Sequence, residues 1–467
     1  MTFTDKLQHI RVLLISTYEL GRQPFGLASP AAWLRRVGAE VECADLSRHS
    51  LDANQVRSAD LIAFYVPMHT AARLAAAALP KIRQANPRAH VCFYGLYAPV
   101  NEAYFRSLGA QTILGGEFEE GLVSTFERIR LNRDGGGLKS AQPEPVVSLG
   151  RQEFIVPDRA DLPPLARYAH LTWPGDGHRT VGHTEASRGC KHLCRHCPVV
   201  PVYNGQFRVV QADIVLEDVR RQVAAGAQHI TFGDPDFFNG PRHAIDIVTA
   251  LHRQHPEVTY DVTIKIEHLL NHAALLPPLR DTGCIFVTSA VESVDNSILA
   301  RLDKGHTYSD FVQVVEMFRQ LGLAISPTFI PFTPWTTLEG YCNLLTRLVE
   351  LDLMENVAPI QLAIRLLIPA QSRLLELAEI RAMCGPYDPA AMVYPWSNAD
   401  PRVDELGAEI QKLVRSGEKD GQSRRAIFTS VWKLAHAMAG DSVHGIPDFP
   451  VSASRASIPY LNEPWYC

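Results

Sequence analysis

The chain has 467 residues, enough for two or three domains with substantial cores. A hydrophobic share of 46% is ordinary for a globular protein, and a net charge of −5 argues against a general nucleic-acid binder. No signal-peptide pattern opens the chain and no apolar run is long enough to span a bilayer, so the expected location is cytoplasmic, with no nucleic-acid or membrane partner.

Residues 1–131 alternate strands and helices. Ile10–Ile15, Val41–Ala44, Leu61–Val66, His90–Tyr94 and Thr112–Leu114 read as strands, and Pro30–Val37, Thr70–Gln84 and Glu119–Leu131 as helices. Such alternation predicts a parallel, doubly wound sheet that binds ligands at the carboxyl ends of its strands. The turns Ser16-Thr17-Tyr18, Pro67-Met68-His69, Tyr94-Gly95-Leu96 and Gly115-Gly116-Glu117 are expected along that edge. Their small residues leave room for the backbone to approach a flat ligand. Residues 132–180 read as a linker, because Asp134-Gly135-Gly136-Gly137 and Gln142-Pro143-Glu144-Pro145 lack periodicity.

From 181 to 370 the alternation resumes. His183–Ser187 leads into Ser187-Arg188-Gly189-Cys190-Lys191-His192-Leu193-Cys194-Arg195-His196-Cys197-Pro198, a C-x3-C-x2-C loop. Three thiolates this close suit three corners of a 4Fe–4S cluster, leaving one iron open to a substrate or cosubstrate. A zinc site is the alternative, with His192 or His196 as a cramped fourth ligand. A disulfide leaves an odd cysteine and does not suit the cytosol. Cys43, Cys92, Cys284, Cys342 and Cys384 read as small buried hydrophobes.

Strands at His229–Phe232, Thr259–Lys265, Ile285–Ala290, Ala324–Ile330 and Gln361–Ile368 follow. They end at or near Gly233-Asp234-Pro235-Asp236, Glu267, Glu292-Ser293 and Pro331–Pro334. Six strands with helices between them predict a parallel barrel or partial barrel, whose chemistry sits at the carboxyl face. Residues 371–467 read as a helical region with a Pro-rich tail ending at Cys467.

The cysteine loop directly after a first barrel strand resembles the radical S-adenosylmethionine (SAM) superfamily. The resemblance implies a partial (β/α)6 barrel and a 4Fe–4S cluster on Cys190, Cys194 and Cys197. It also implies SAM as cosubstrate, an electron donor such as flavodoxin or ferredoxin, and reductive cleavage of SAM, usually to a 5′-deoxyadenosyl radical. His196 stands where that family often has an aromatic residue. Gly233-Asp234-Pro235-Asp236 matches the place where the family holds the methionine amino group, so Asp234 or Asp236 is expected on that ammonium. Either could instead cap the following helix. Glu292 and Ser293 are expected on the ribose hydroxyls. Lys265 and Glu267 are expected on the SAM carboxylate, on the substrate, or on each other. Arg365 is a further candidate, and Phe329–Pro334 is expected near adenine. No residue is assigned as catalytic.

The front domain resembles the cobalamin-binding domain of one subgroup of that superfamily, through Tyr94, Gly95, Gly115, Gly116 and Glu117. The subgroup's D-x-H-x-x-G signature is absent: the residues are Ser16-Thr17-Tyr18-Glu19-Leu20-Gly21. Met68 and His69 remain as groups able to approach cobalt. At finer grain Leu14–Gly21, Val66–Thr70, Tyr94–Pro99 and Asn462–Cys467 resemble the family named for its CUAEP or CCAEP tail. The implied reaction is cobalamin-dependent methyl transfer to an unactivated carbon or to phosphorus, in a small-molecule or peptide substrate. One alternative is transfer of an aminocarboxypropyl fragment of SAM to a soft acceptor such as arsenic or selenium. Another is a non-catalytic cobalamin or iron–sulfur sensor or carrier.

Overall fold

The computed structural model describes residues 10–133, 143–173, 177–440, 445–446 and 460–461. The first sheet is parallel, in the order Glu40–Asp45, Arg11–Ser16, Leu61–Tyr65, His90–Tyr94, Thr112–Gly116, Val147–Ser148. Leu61–Tyr65 is buried along its whole length, as a strand covered on both faces must be. Phe25–Arg36 and Glu119–Arg133 cover one face through Leu27, Leu34, Leu122 and Phe126, and His69–Ala85 covers the other through Ala72, Ala75 and Leu79. The order reverses between Arg11–Ser16 and Leu61–Tyr65, the position at which doubly wound sheets open a ligand crevice.

The expected linker is largely built into the two domains. Val147–Ser148 extends the first sheet, Asp158 pairs with Arg35 at 2.6 Å, and His170–Trp173 is an outer strand of the second sheet. The Asp134–Gly137 run, Gln142 and Asn462–Cys467 lie outside the described residues.

The second sheet is a curled row of five parallel strands: Gly177–Thr184, His229–Phe232, Thr259–Thr263, Cys284–Glu292 and Ala324–Phe329. His170–Trp173 and Tyr460–Leu461 add an antiparallel edge. Helices Ala212–Ala224, Pro241–Gln254, Tyr308–Leu321 and Leu338–Glu350 pack against it in one core. Tyr308–Leu321 shows why they form where they do. Thr307 and Asp310 make a capping box, Phe311, Val314, Val315 and Phe318 face inward at helical spacing, and Gly322 ends the helix at φ +66°. The same core extends to helices Pro401–Lys419 and Arg424–Ala439.

The sixth strand expected at Gln361–Ile368 does not form. Pro359–Leu362 is a single 3-10 turn, and only Phe332 and Arg365 bridge beyond it. Phe332 donates its N–H to Ile364 O and accepts from Leu366 N–H through its carbonyl, and the pairing goes no further. Among the described residues no helix is long and apolar enough to cross a membrane.

Candidate active site

Strand Gly177–Thr184 delivers the cysteine loop to the carboxyl face of the curled sheet. Ser187–Gly189 then pairs antiparallel with Phe207–Val209, and the Cys190 N–H donates to Gln206 O at 3.1 Å. Gly189 has φ +75°, and a Cβ there would lie 2.4 Å from Tyr203 Cδ1 and 2.5 Å from Gln206 O, so this position requires glycine. Arg195 N–H donates to Leu302 O, and Arg373 donates to Leu193 O at 2.8 Å. The loop is therefore anchored at its start, its middle and its far side.

Cys190, Cys194 and Cys197 form no disulfide, and Cys194 is buried. Burial, with repulsion from the neighbouring thiols, pushes Cys190 up to about 11 and Cys197 up to about 12. Three free thiols on one loop, two of them held up in this way, suit a group that supplies positive charge to the sulfurs, as an iron–sulfur cluster does. A Cys3His zinc set is not assembled: His192 comes together with Cys190 and Asp236 only, and His196 Nε2 lies 3.0 Å from Glu292 Oε1.

The two aspartates after His229–Phe232 separate. Asp234 turns inward and accepts from Ala186 N–H at 2.9 Å and Ser187 Oγ–H at 2.5 Å. Burial pushes it up to about 7. Asp236 accepts from Phe238 N–H through Oδ1, so it is a cap. Its Oδ2 faces the loop, 2.7 Å from His268 Nδ1 and 3.5 Å from His192 Nε2, and groups with Cys190 Sγ. Burial would raise its carboxyl, but the two imidazoles outweigh that and hold it below the usual range. Gly233 is needed because a Cβ there would lie 2.4 Å from His183 Nε2. Lys265 and Glu267 pair with each other at 3.0 Å, and Lys265 Nζ also lies 3.1 Å from His192 Nδ1.

Glu292 sits at φ +68°, a strained position for a non-glycine residue. Its Oε1 is 3.0 Å from His196 Nε2 and 3.3 Å from Lys304 Nζ. Burial opposes its ionisation, yet Lys304 and His196 hold it down at about 2. Ser293 Oγ closes a local turn by accepting from Asp295 N–H. Both are thus engaged within the chain rather than left free for ribose. Sequence reasoning missed His268 and Lys304. His268 stands in Ile266-Glu267-His268-Leu269-Leu270 and Lys304 in the polar run Asp303-Lys304-Gly305-His306, and no periodicity marked either.

At the front edge Gly95 and Gly116 line the cavity between the domains, and both, like Gly115, also lie close to the chain. A Cβ on Gly115 would lie 2.1 Å from Pro99 Cγ, on Gly116 2.2 Å from Ser148 O, and on Gly95 3.1 Å from the Tyr65 ring. Tyr94 is fully buried and donates to Gly26 O at 2.7 Å. His69 Nε2 is turned to Ala391 O at 2.7 Å. Elsewhere, Arg365 stacks 3.5 Å over Trp396 and pairs with Asp404, while Phe332 stacks on Tyr341 in the core, so neither faces the cysteine loop.

Glu117 joins the two domains. Arg188, two residues before Cys190, donates to Glu119 at 2.7 and 2.9 Å, to Glu117 at 3.3 Å and to Glu185 at 2.8 Å. Burial pushes Glu117 up to about 7 despite Arg188.

A parallel curled sheet that presents three free cysteines beside an acidic turn is the architecture of an iron–sulfur enzyme that works at its strand ends. Residues 184–345 match the Radical SAM superfamily, so the chain carries a radical SAM domain and is an enzyme of that class, which implies a 4Fe–4S cluster and SAM. The tRNA-2-methylthio-N(6)-dimethylallyladenosine synthase of Chlorobium phaeobacteroides is 26% identical over 151 residues, 31% of this chain and 34% of that protein. The hopanoid C-3 methylase of Methylococcus capsulatus is 24% identical over 151 residues, 32% of this chain and 29% of that protein. The matches thus span about a third of these curated relatives. Among solved structures, the cobalamin-dependent SAM radical enzyme OxsB superposes with a TM-score of 0.68 at 16% identity, covering 88% of this chain and 67% of that one. The radical SAM methyltransferase TsrM of Kitasatospora setae gives 0.59 at 17% identity, covering 81% and 77%. These likenesses establish a shared fold across both domains.

Proposed function

We propose that this enzyme reductively cleaves SAM and transfers a SAM-derived group to a small acceptor held between its two domains. The observation that carries the reading is the set of three free thiols, Cys190, Cys194 and Cys197, on one strand-end loop, with the Asp236 carboxylate beside Cys190. When bound, the cluster supplies an electron that breaks a carbon–sulfur bond of SAM. The three cysteines would hold it, and Asp236 would hold the SAM ammonium, its carboxylate kept ionised by His192 and His268. Asp234 braces the loop from behind. Asp236→Asn is therefore expected to weaken SAM binding about 10–100-fold, measured by equilibrium dialysis, with iron content retained. Asp234→Asn is expected to act on stability instead, and equal effects of the two would remove the assignment.

The likeness to OxsB and TsrM supports cobalamin-dependent methyl transfer to carbon or phosphorus. The cavity between the domains measures about 250 Å³ and is lined on the front-domain side by Pro67, Met68, Gly95 and Gly116, at the strand ends where a doubly wound domain takes its ligand. The second reading, transfer of the aminocarboxypropyl fragment to a soft acceptor such as arsenic or selenium, uses the same cluster and SAM without cobalt. The deciding experiment is anaerobic reconstitution with iron and cobalamin, followed by metal and product analysis. About four irons and one cobalt, with S-adenosylhomocysteine and 5′-deoxyadenosine formed, establish methylation. Four irons without cobalt, with methylthioadenosine formed, establish fragment transfer. Zinc without iron rejects both.

A further inference from the structure

The cavity between the domains has room for about eight water molecules at roughly 30 Å³ each. It is walled by the loop after the first strand, the front-sheet edge at Pro67, Met68, Gly95 and Gly116, the end of strand Gly177–Thr184 and the cysteine loop. Glu19 lines it at 7% exposure, and its Oε2 has no hydrogen-bond partner. His183 lines it at 3% exposure, and neither ring nitrogen makes a hydrogen bond of good geometry, although the Gln23 backbone lies near enough to favour its charged form slightly. Buried polar groups left in this way are rare and costly, and they point to a ligand.

The charges around the cavity name its class. Glu19 and Glu185 line it, and Glu117 and Glu119 stand behind Arg188. Against these four carboxyls stand Arg22 and Arg188, because Arg159 is held by both oxygens of Asp218 at 2.9 Å. Positive charge is short by two. Burial, with repulsion from Glu185, keeps Glu19 well above the usual carboxylate range, so a proton stands in where a cation would serve better.

We infer that the acceptor enters this cavity with a cationic nitrogen, a protonated amine, and seats it on Glu19 and Glu185. The inference rests on the SAM-cleaving reading above. On that reading the SAM ammonium goes to Asp236, so the two cations do not compete.

The test uses the full, cluster-loaded chain and three four-carbon probes, butylamine, 1-butanol and butyrate, followed by ligand-observed NMR. Butylamine is expected to bind at least tenfold more tightly than 1-butanol, with butyrate not binding. Glu19→Gln is expected to weaken butylamine about tenfold while iron content and SAM affinity stay unchanged. Butanol or butyrate matching butylamine in the unmodified chain overturns the inference, whatever the variant does. A variant that binds butylamine normally, or that loses SAM in step with it, also overturns it. Failure to assemble four irons would instead reject the SAM-cleaving reading, and the amine series can be read without the cluster.

Discussion

Replacing Cys194 by alanine is expected to take bound iron from about four per chain to near none and to abolish SAM cleavage. The expected loss exceeds the roughly 10–100-fold that follows removal of groups merely supporting a ligand. Cys194 is the most buried of the three cysteines, and it accepts the Cys197 N–H through its carbonyl, so the loop keeps its backbone contacts without the thiol. The fold should survive, with an unfolding midpoint close to that of the parent chain. Cys342→Ala is the control: that thiol is buried in the core on the inner face of helix Leu338–Glu350, and its loss should lower stability while leaving iron untouched. Iron retained at parental levels in Cys194→Ala would remove this cysteine from the ligand set. Iron lost equally in Cys342→Ala would make the first result a matter of folding alone.

The cysteine loop was legible because its meaning is local. Three thiols within eight residues need no partner from elsewhere to suggest a cluster. Most strands were legible for the same reason, since Leu61–Tyr65 and His90–Tyr94 are apolar runs bounded by turn residues. What failed was long-range. Gly115 read as room for a ligand, yet Pro99 lies against it while its neighbour Gly116 lines the cavity, and nothing along the chain ties residue 115 to residue 99. Glu292 read as a ribose ligand, and only the folded chain brings His196 and Lys304 onto it. Gln361–Ile368 had the composition of a strand but lacked a ladder partner beyond Phe332. The front edge as a whole was read by its glycines, whereas its chemistry lies in Glu19 and Glu117, acidic residues that look like surface residues until burial is known.

Arg188→Met is the second large effect expected, and it tests how the domains are joined. Removing one partner from a buried ion pair costs about 3–5 kcal/mol, because the remaining charges stay buried without compensation. Here one guanidinium serves Glu117, Glu119 and Glu185, and it lies among the rings of Phe25, Phe118 and Phe154 at 4.9–5.6 Å. Methionine keeps the contact with those rings and removes the charge, so the loss reports the ions. At about 2 °C per kcal/mol the midpoint should fall by roughly 6–10 °C at pH 8. The sign of the pH dependence follows from Glu117. Its folded value, about 7, lies above the ordinary 4.5, so the native chain holds that proton more tightly than the unfolded chain does. The stability this group contributes is full below about 4.5 and is lost as pH rises through 7. Without Arg188 the carboxyls lose the charge that lowered them, and protonation at pH 5.5 relieves their repulsion. The deficit of the variant should therefore shrink between pH 8 and pH 5.5, and adding Glu119→Gln should recover part of it. A deficit below about 1 kcal/mol, unchanged with pH, would mean that the ion cluster does not hold the domains together. Because Arg188 is two residues from Cys190, iron retention should fall in the same variant and recover with the same second substitution. A purely structural loss spread over the fold would not reproduce that paired response.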